Sequence, residues 1–288
     1  MALNCLFYVG MCMSVFDFNP HTASVSVVIP CYCCEDTIRR AVASVYKQTL
    51  RPLEVILVDD CSPDQTLKLL KAIQAEYSEG WIKIVEITLN RGPGNARNIG
   101  WASALGSYVA FLDADDSWHS CKTEYQYSWM QKNINAALTG QQSVLSDTLD
   151  NDSGFGGGRG KVNFKLVDKG QLLLSNRFST SSVMIKAGLP YRFTDSRNYS
   201  EDYEMWCDVA FDEGACFVMS PEFTYTHKAL FGVSGLSSDL WKMERGELLV
   251  FEKLYRRRKV GLASYILYSS WSLVRYFRRC IKVQLAGS

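Results

Sequence analysis

The sequence predicts an α/β domain: a mainly parallel sheet flanked by helices, with a helical extension at its carboxyl end. Short β-branched runs ending in proline or aspartate alternate with segments whose apolar residues recur at helical spacing. Those runs are apolar almost throughout, as strands buried on both faces are. Composition agrees: 47% apolar, 12% aromatic and 21% charged among 288 residues suit a large globular domain and exclude collagen, a coiled coil or a disordered chain.

Met1 to Phe16 form an uncharged apolar run. The first Lys or Arg is Arg39, so the run lacks the positive start of a secretory signal, and it is shorter than the ~20 residues that span a bilayer. Residues 1–23 are therefore expected to be a poorly ordered leader. SVSVVIP, from Ser24, reads as the first buried strand. Ile38, Ala41, Val42 and Val45 then mark a helix over 35–48, with Glu35 or Asp36 placed to cap it. LEVILVDD (53–60) is a second strand, and Ser62-Pro63-Asp64 starts the next helix, proline suiting a first turn. A third strand over 82–87, a helix over 94–105 and a fourth strand over 108–112 complete the series.

Strands and helices in this alternation imply right-handed crossovers, and ligands in such sheets bind beyond the carboxyl ends of the strands. Tyr32, Asp59, Asp60, Asp113 and Asp115 all fall at those ends and are expected in one crevice. After a helix over 122–136, residues 139–169 are polar and glycine-rich. They read either as a loop over the site or as a plain surface insertion. They are not a phosphate-cradling loop, because Phe155 and Val162 stand where that motif needs glycine and Ser/Thr. A further apolar segment (181–186), a helix over 202–212, short strands over 216–219 and 223–227, and two apolar-basic helices follow.

Charge divides the chain. With nine basic residues and no acid from Lys253 onward, a net charge of +1 leaves −8 on residues 1–252. The near-neutral total advertises no nucleic-acid partner. Residues 260–274 are 15 uncharged residues containing Tyr265, Tyr268 and Trp271, bordered by RRRK and by Arg275, Arg278 and Arg279. They are too short to span a bilayer and suit its interface, and packing on the main domain with a solvated basic face is the alternative. The ten cysteines show no regular spacing and read as reduced thiols.

The strongest local signal is YVAFLDADDSW, an apolar strand delivering Asp113, Asp115 and Asp116 at its tip. Clustered carboxylates repel unless a cation or a basic partner neutralises them. Oxygen-only ligands on a loop suit Mg²⁺ or Mn²⁺ held together with substrate phosphates. At the adjacent strand end Asp59 and Asp60 are placed either to accept from a nucleobase N–H or ribose hydroxyl, or to cap a helix. Tyr32 is placed either to stack on a base or to pack.

VSVVIPCYC, LEVILVDDCSPD, NRGPGNARNIGWASALGSYVAFLDADD and SEDYEMW, taken in order, resemble family 2 glycosyltransferases, inverting enzymes of the Rossmann-like GT-A fold, over residues 24–235. Residues 236–288 would then be a C-terminal extension of amphipathic, basic helices. The resemblance implies transfer of a sugar from a nucleoside diphosphate, most often UDP, to an acceptor hydroxyl, with Mn²⁺ or Mg²⁺. On the matching positions it implies that Tyr32 and Asp60 bind the base, with Pro30 ending the strand. Asp113 and Asp115 form the Asp-x-Asp motif that meets ribose, sugar and metal, and Arg97 flanks the donor. His227 lies near the diphosphate or metal, and Asp202 is the catalytic base. Cys33 departs from the asparagine common after the tyrosine. The expected acceptor is a saccharide or lipid-linked saccharide in cell-surface polysaccharide or glycolipid assembly, at the cytoplasmic face of the plasma membrane.

Other classes fit less well. Sugar-nucleotide nucleotidyltransferases carry a glycine-rich basic loop after the first strand, and CYCCEDT has neither glycine nor lysine. A dinucleotide-dependent dehydrogenase would need G-x-G-x-x-G after a strand. A non-catalytic membrane-surface module would leave Asp113, Asp115 and Asp202 without a purpose.

Overall fold

The computed structural model describes residues 22–146, 161–194, 199–227 and 239–286. Most of the expected leader (1–21) and residues 147–160 of the glycine-rich stretch lie outside the described residues. The first half of the chain builds β1 (Thr22–Cys31), α1 (Ile38–Tyr46), β2 (Arg51–Asp59), α2 (Thr66–Glu76), β3 (Ile82–Glu86), α3 (Pro93–Ala102) and β4 (Tyr108–Phe111). It continues with β5 (Asp116–Trp118), α4 (Lys122–Lys132), β6 (Leu138–Gly140), β7 (Val144–Leu145), β8 (Asn163–Leu166) and α5 (Lys169–Leu174). Then come β9 (Met184–Lys186), α6 (Glu201–Asp212), β10 (Cys216–Ser220), β11 (Thr224–Thr226), α7 (Leu240–Arg256) and α8 (Leu262–Ala286).

The main sheet has eight strands in the order β3-β2-β1-β4-β9-β6-β10-β8, and β5, β11 and β7 form a small second sheet. β3, β2, β1 and β4 run parallel, with Val27 opposite Val55 on one side and Ala110 on the other. β9 is antiparallel to both its neighbours, so the sheet is mixed beyond β4.

Continuous apolar strands need cover on both faces, and they have it. Val25, Val27 and Ile29 pack with α1, α2 and α4, while Val28, Ile56, Val58 and Phe111 pack with α3, α6 and α7. Burying each such side chain contributes about 1.5–3 kcal/mol against the entropy of ordering it. α3 lies so close to the sheet that a Cβ on Gly100 would overlap Val28 and come 3.0 Å from Val58 Cγ2.

Local signals misplaced some helix starts. Thr37, not Glu35 or Asp36, precedes α1, and it makes no side-chain cap bond. α2 begins at Thr66, because Ser62-Pro63-Asp64 is used in a turn where Asp64 accepts from Thr66 N at 3.1 Å. The segment expected as a loop over 139–169 contains β7 and β8, short strands with few apolar residues to mark them.

α8 packs on α7 and α5, and α7 packs on α6. Among the described residues no helix is long and apolar enough to cross a membrane. Most of the basic residues after Lys253 are paired to acids. Lys253, Arg257 and Lys259 meet Glu204, Asp208 and Asp212, which recur every four residues along α6, and Arg275 and Arg279 meet Glu247 and Glu244 of α7. The charge asymmetry therefore fastens the basic helices to the acidic body. No two of the eight described cysteines are bridged.

Candidate active site

A cleft of about 1080 Å³ opens beyond the carboxyl ends of β1, β2 and β4. Pro30, Tyr32, Asp60, Arg97, Asp113, Asp115 and Asp202 all line it, so the structure gathers residues spread over more than 170 positions of sequence.

The acidic turn after β4 is neutralised in part by the protein itself. Arg97, buried on α3, donates from Nη2 to Asp113 Oδ1 at 2.6 Å and from Nη1 to Glu201 Oε1 at 3.2 Å. Burial alone would depress the Arg97 pKa, but the Asp113, Glu201 and Asp202 carboxylates raise it instead. Arg40 of α1 donates to the Asp115 carbonyl at 2.6 Å. Charge remains in excess: burial, then Asp113 and Asp115, push the Asp116 carboxyl up to about 7 against hydrogen bonds from Ser181 and Thr226. Burial and Asp202 likewise push Glu201 up to about 7, against the pull of Arg97.

This donor set fits a hard divalent cation that takes one or two carboxylates and completes its shell with substrate phosphates and water. It is not a preformed cage. Among the described residues no three His, Cys, Asp or Glu side chains are grouped to hold a metal. His227 is set against Ser117, with Nε2 2.8 Å from Ser117 Oγ, and is not drawn into a three-ligand group with Asp113 and Asp115.

Asp202 sits in the first turn of α6, at the positive end of the helix dipole. Ser200, in left-handed conformation at φ 59, precedes the helix without a side-chain cap bond, so neither Glu201 nor Asp202 is the cap residue. Asp202 Oδ1 accepts from Tyr203 N at 2.7 Å and Oδ2 from Thr180 Oγ1 at 2.8 Å. Tyr203, Met205, Trp206, Val209 and Ala210 are buried and hold the helix rigid beneath it.

At the other end of the cleft Tyr32 is 51% exposed, its ring presented rather than packed. Asp60 is buried, and both its oxygens are engaged: Oδ1 accepts from Arg91 N at 3.1 Å and Oδ2 from Gly92 N at 2.8 Å. Gly92 has φ +87, a conformation that favours glycine, and it presents that amide just before Pro93 opens α3. Asp60 thus shapes the loop that brings Asn90 to the cleft.

Sequence reasoning missed the turn Thr180–Ser182. Thr180 holds Asp202, while Ser181 Oγ accepts from Asp113 N at 3.1 Å and donates to Asp116 Oδ2. Ser and Thr are too common for this turn to stand out. It also missed that Arg275, Arg278, Arg279 and Lys282 of α8 line the same cleft.

Solved structures with this architecture include S. aureus TarS 1–349 in complex with UDP-GlcNAc, at TM-score 0.65 and 20% identity, covering 88% of this chain and 72% of that one. The mannosyltransferase PcManGT from Pyrobaculum calidifontis, in complex with GDP-Man and Mn²⁺, is similar at TM-score 0.61 and 18% identity, over 92% and 76%. The fold is that of the GT-A glycosyltransferases. The model of Glycosyl transferase family 2 matches residues 26–189, more than half the chain, and the chain belongs to that family. Among its relatives is the Escherichia coli UDP-Glc:α-D-GlcNAc-diphosphoundecaprenol β-1,3-glucosyltransferase WfgD, 31% identical over 189 residues, 65% of this chain and 70% of that protein.

Proposed function

We propose that this chain transfers a hexose from a UDP-linked donor to a hydroxyl of a lipid-diphosphate-linked saccharide, inverting the anomeric configuration, in surface polysaccharide or glycolipid assembly. The observation that carries the reading is the convergence of Asp202 and the Asp113–Asp115 turn on one cleft, with Arg97 bonded to Asp113 on one side and to Glu201 on the other. The UDP-linked donor and the diphosphate-linked acceptor follow from the names of TarS in its UDP-GlcNAc complex and of WfgD.

The exposed Tyr32 ring offers the base a stacking face, and the loop held by Asp60 borders the nucleotide. Asp115, with Asp113, would hold Mn²⁺ or Mg²⁺, which offsets charge growing on the departing diphosphate. Across the cleft, Asp202 takes the acceptor proton as its oxygen attacks the anomeric carbon. One displacement breaks the bond to the diphosphate and inverts the centre. Thr180 and the amide of Tyr203 aim the Asp202 carboxylate, and a positioned base contributes about 10²- to 10⁴-fold.

The test is transfer of labelled glucose or GlcNAc from the UDP-sugar to synthetic GlcNAc-diphospho-phytanol, with Mn²⁺ and with chelator. A β-linked product from the α-linked donor, lost with chelator, is expected. Retention of configuration, or no transfer from any UDP-sugar, would overturn the reading. An acceptor in lipid brings the chain to the cytoplasmic membrane face, where the exposed Ile266, Trp271 and Phe277 of α8 suit the interface. Equal vesicle flotation of wild type and a triple serine variant at these positions would refute that placement.

A further inference from the structure

The cleft lining carries both signs of charge. Asp113, Asp115, Asp116, Glu201 and Asp202 make it acidic, yet four basic residues within two turns of α8, Arg275, Arg278, Arg279 and Lys282, line it as well. This helix lies beyond residues 26–189, to which the family model is matched.

The four are not equivalent. Arg275 and Arg279, each with a side chain 22% exposed, are anchored by Glu247 and Glu244 of α7. Arg278 and Lys282 are exposed and pair with no carboxylate among the described residues. At i and i+4 they stand on one helix face about 6 Å apart, a spacing that lets two cations share one diphosphate. Beside them Val274, Phe277 and Ile281 form an exposed apolar stripe, at 58%, 62% and 57% exposure. Cations edging an apolar stripe match a molecule that is a diphosphate at one end and a hydrocarbon at the other.

Position separates these four residues from the donor end. α8 reaches the cleft through α7, whose Met243 carbonyl accepts from Ser200 Oγ at 3.3 Å, next to Glu201 and Asp202. Tyr32 and Asp60 directly follow β1 and β2, which lie on the other side of β4 from β9. We propose that Arg278 and Lys282, held in place by the Arg275–Glu247 and Arg279–Glu244 pairs, form the subsite for the diphosphate of a lipid-linked acceptor, whose hydrocarbon chain leaves along Val274, Phe277 and Ile281. This rests on the glycosyl-transfer reading and adds the residues that select the acceptor.

The experiment measures binding of farnesyl diphosphate to the full chain saturated with UDP and Mn²⁺, so that the donor's phosphate positions are filled. Farnesol serves as the control for the chain alone. The double variant Arg278→Glu, Lys282→Glu should lose at least about tenfold in affinity for farnesyl diphosphate, with farnesol and UDP binding unchanged. The milder Arg278→Gln, Lys282→Gln pair should lose less, and it decides the matter if the charge-reversed chain does not fold. Equal farnesyl diphosphate affinity in variant and wild type, with UDP binding intact, overturns the subsite and leaves glycosyl transfer standing. A parallel loss of UDP affinity also overturns it, giving the pair to the donor's diphosphate. Failure of the wild type to bind UDP overturns both.

Discussion

Arg97 answers the question that clustered carboxylates pose. The acidic tip required a cation or a basic partner, and Arg97 is that partner for Asp113 and for Glu201 of the helix that carries Asp202. Removing one member of a buried pair leaves uncompensated charge, so Arg97→Met should cost about 3–5 kcal/mol in urea unfolding. A loss below about 1 kcal/mol would show that solvent already neutralises the site. Thr180→Val should lower kcat with little change in UDP affinity, because it releases only the aim of Asp202. Lys122 is buried against the Trp118 ring and Gln126 Oε1, and burial pulls its pKa well below the ordinary value. Between the folded value and the unfolded one, about 10.4, the unfolded chain binds more protons. Stability from this residue is therefore complete above the unfolded value and is lost as pH falls through the folded one. Wild type should gain stability relative to Lys122→Met as pH rises toward that unfolded value, and parallel urea midpoints would rule the effect out. Asp113, Asp115 and Asp202 were legible as motif positions. Arg97 was legible only as an arginine near the donor, because its double pairing joins residues 104 positions apart.

Strands and crossover helices were the most legible elements, for a physical reason. Val27 to Ile29 and Val55 to Val58 are buried on both faces, so their sequences carry no polar alternation to confuse the reading. Helix starts and edge strands were less legible. Capping depends on backbone conformation, as at Thr37 and Gln65, and β7 and β8 gain little from burial. α3 makes a test of its own. Its Gly100 permits van der Waals approach of the helix to β1 and β2, and the added methyl of Gly100→Ala must displace Val28 or Val58. That overpacking should cost about 1–3 kcal/mol despite alanine's higher helix propensity. A variant as stable as wild type would mean that α3 shifts freely, and its carriage of Arg97 would then be less rigid than described.

Across the whole molecule the opposite charges of body and C-terminal helices are joined internally. Glu204 and Glu244 have side chains only 4% and 0% exposed, and their cations come from Lys253 and Arg279. A chain ending at Glu252 would lose both cations and the buried Leu254, and it should unfold at markedly lower urea than the full chain. An unchanged midpoint would make these helices an independent appendage. The sequence showed the two charge blocks, but not that Glu204, Asp208 and Asp212 face the basic residues, since that pairing depends on how α7 returns over α6. The central claim is that Asp202 removes the acceptor proton in an inverting transfer. It is tested most directly by the single-turnover transfer rate of Asp202→Asn, with UDP affinity and melting temperature read alongside. Asparagine can still accept from the Tyr203 amide through Oδ1 and donate from Nδ2 to Thr180 Oγ1, but it takes no proton, so the rate should fall roughly 10²- to 10⁴-fold with the other two unchanged. Transfer at near the wild-type rate would contradict the account and move the base to Glu201.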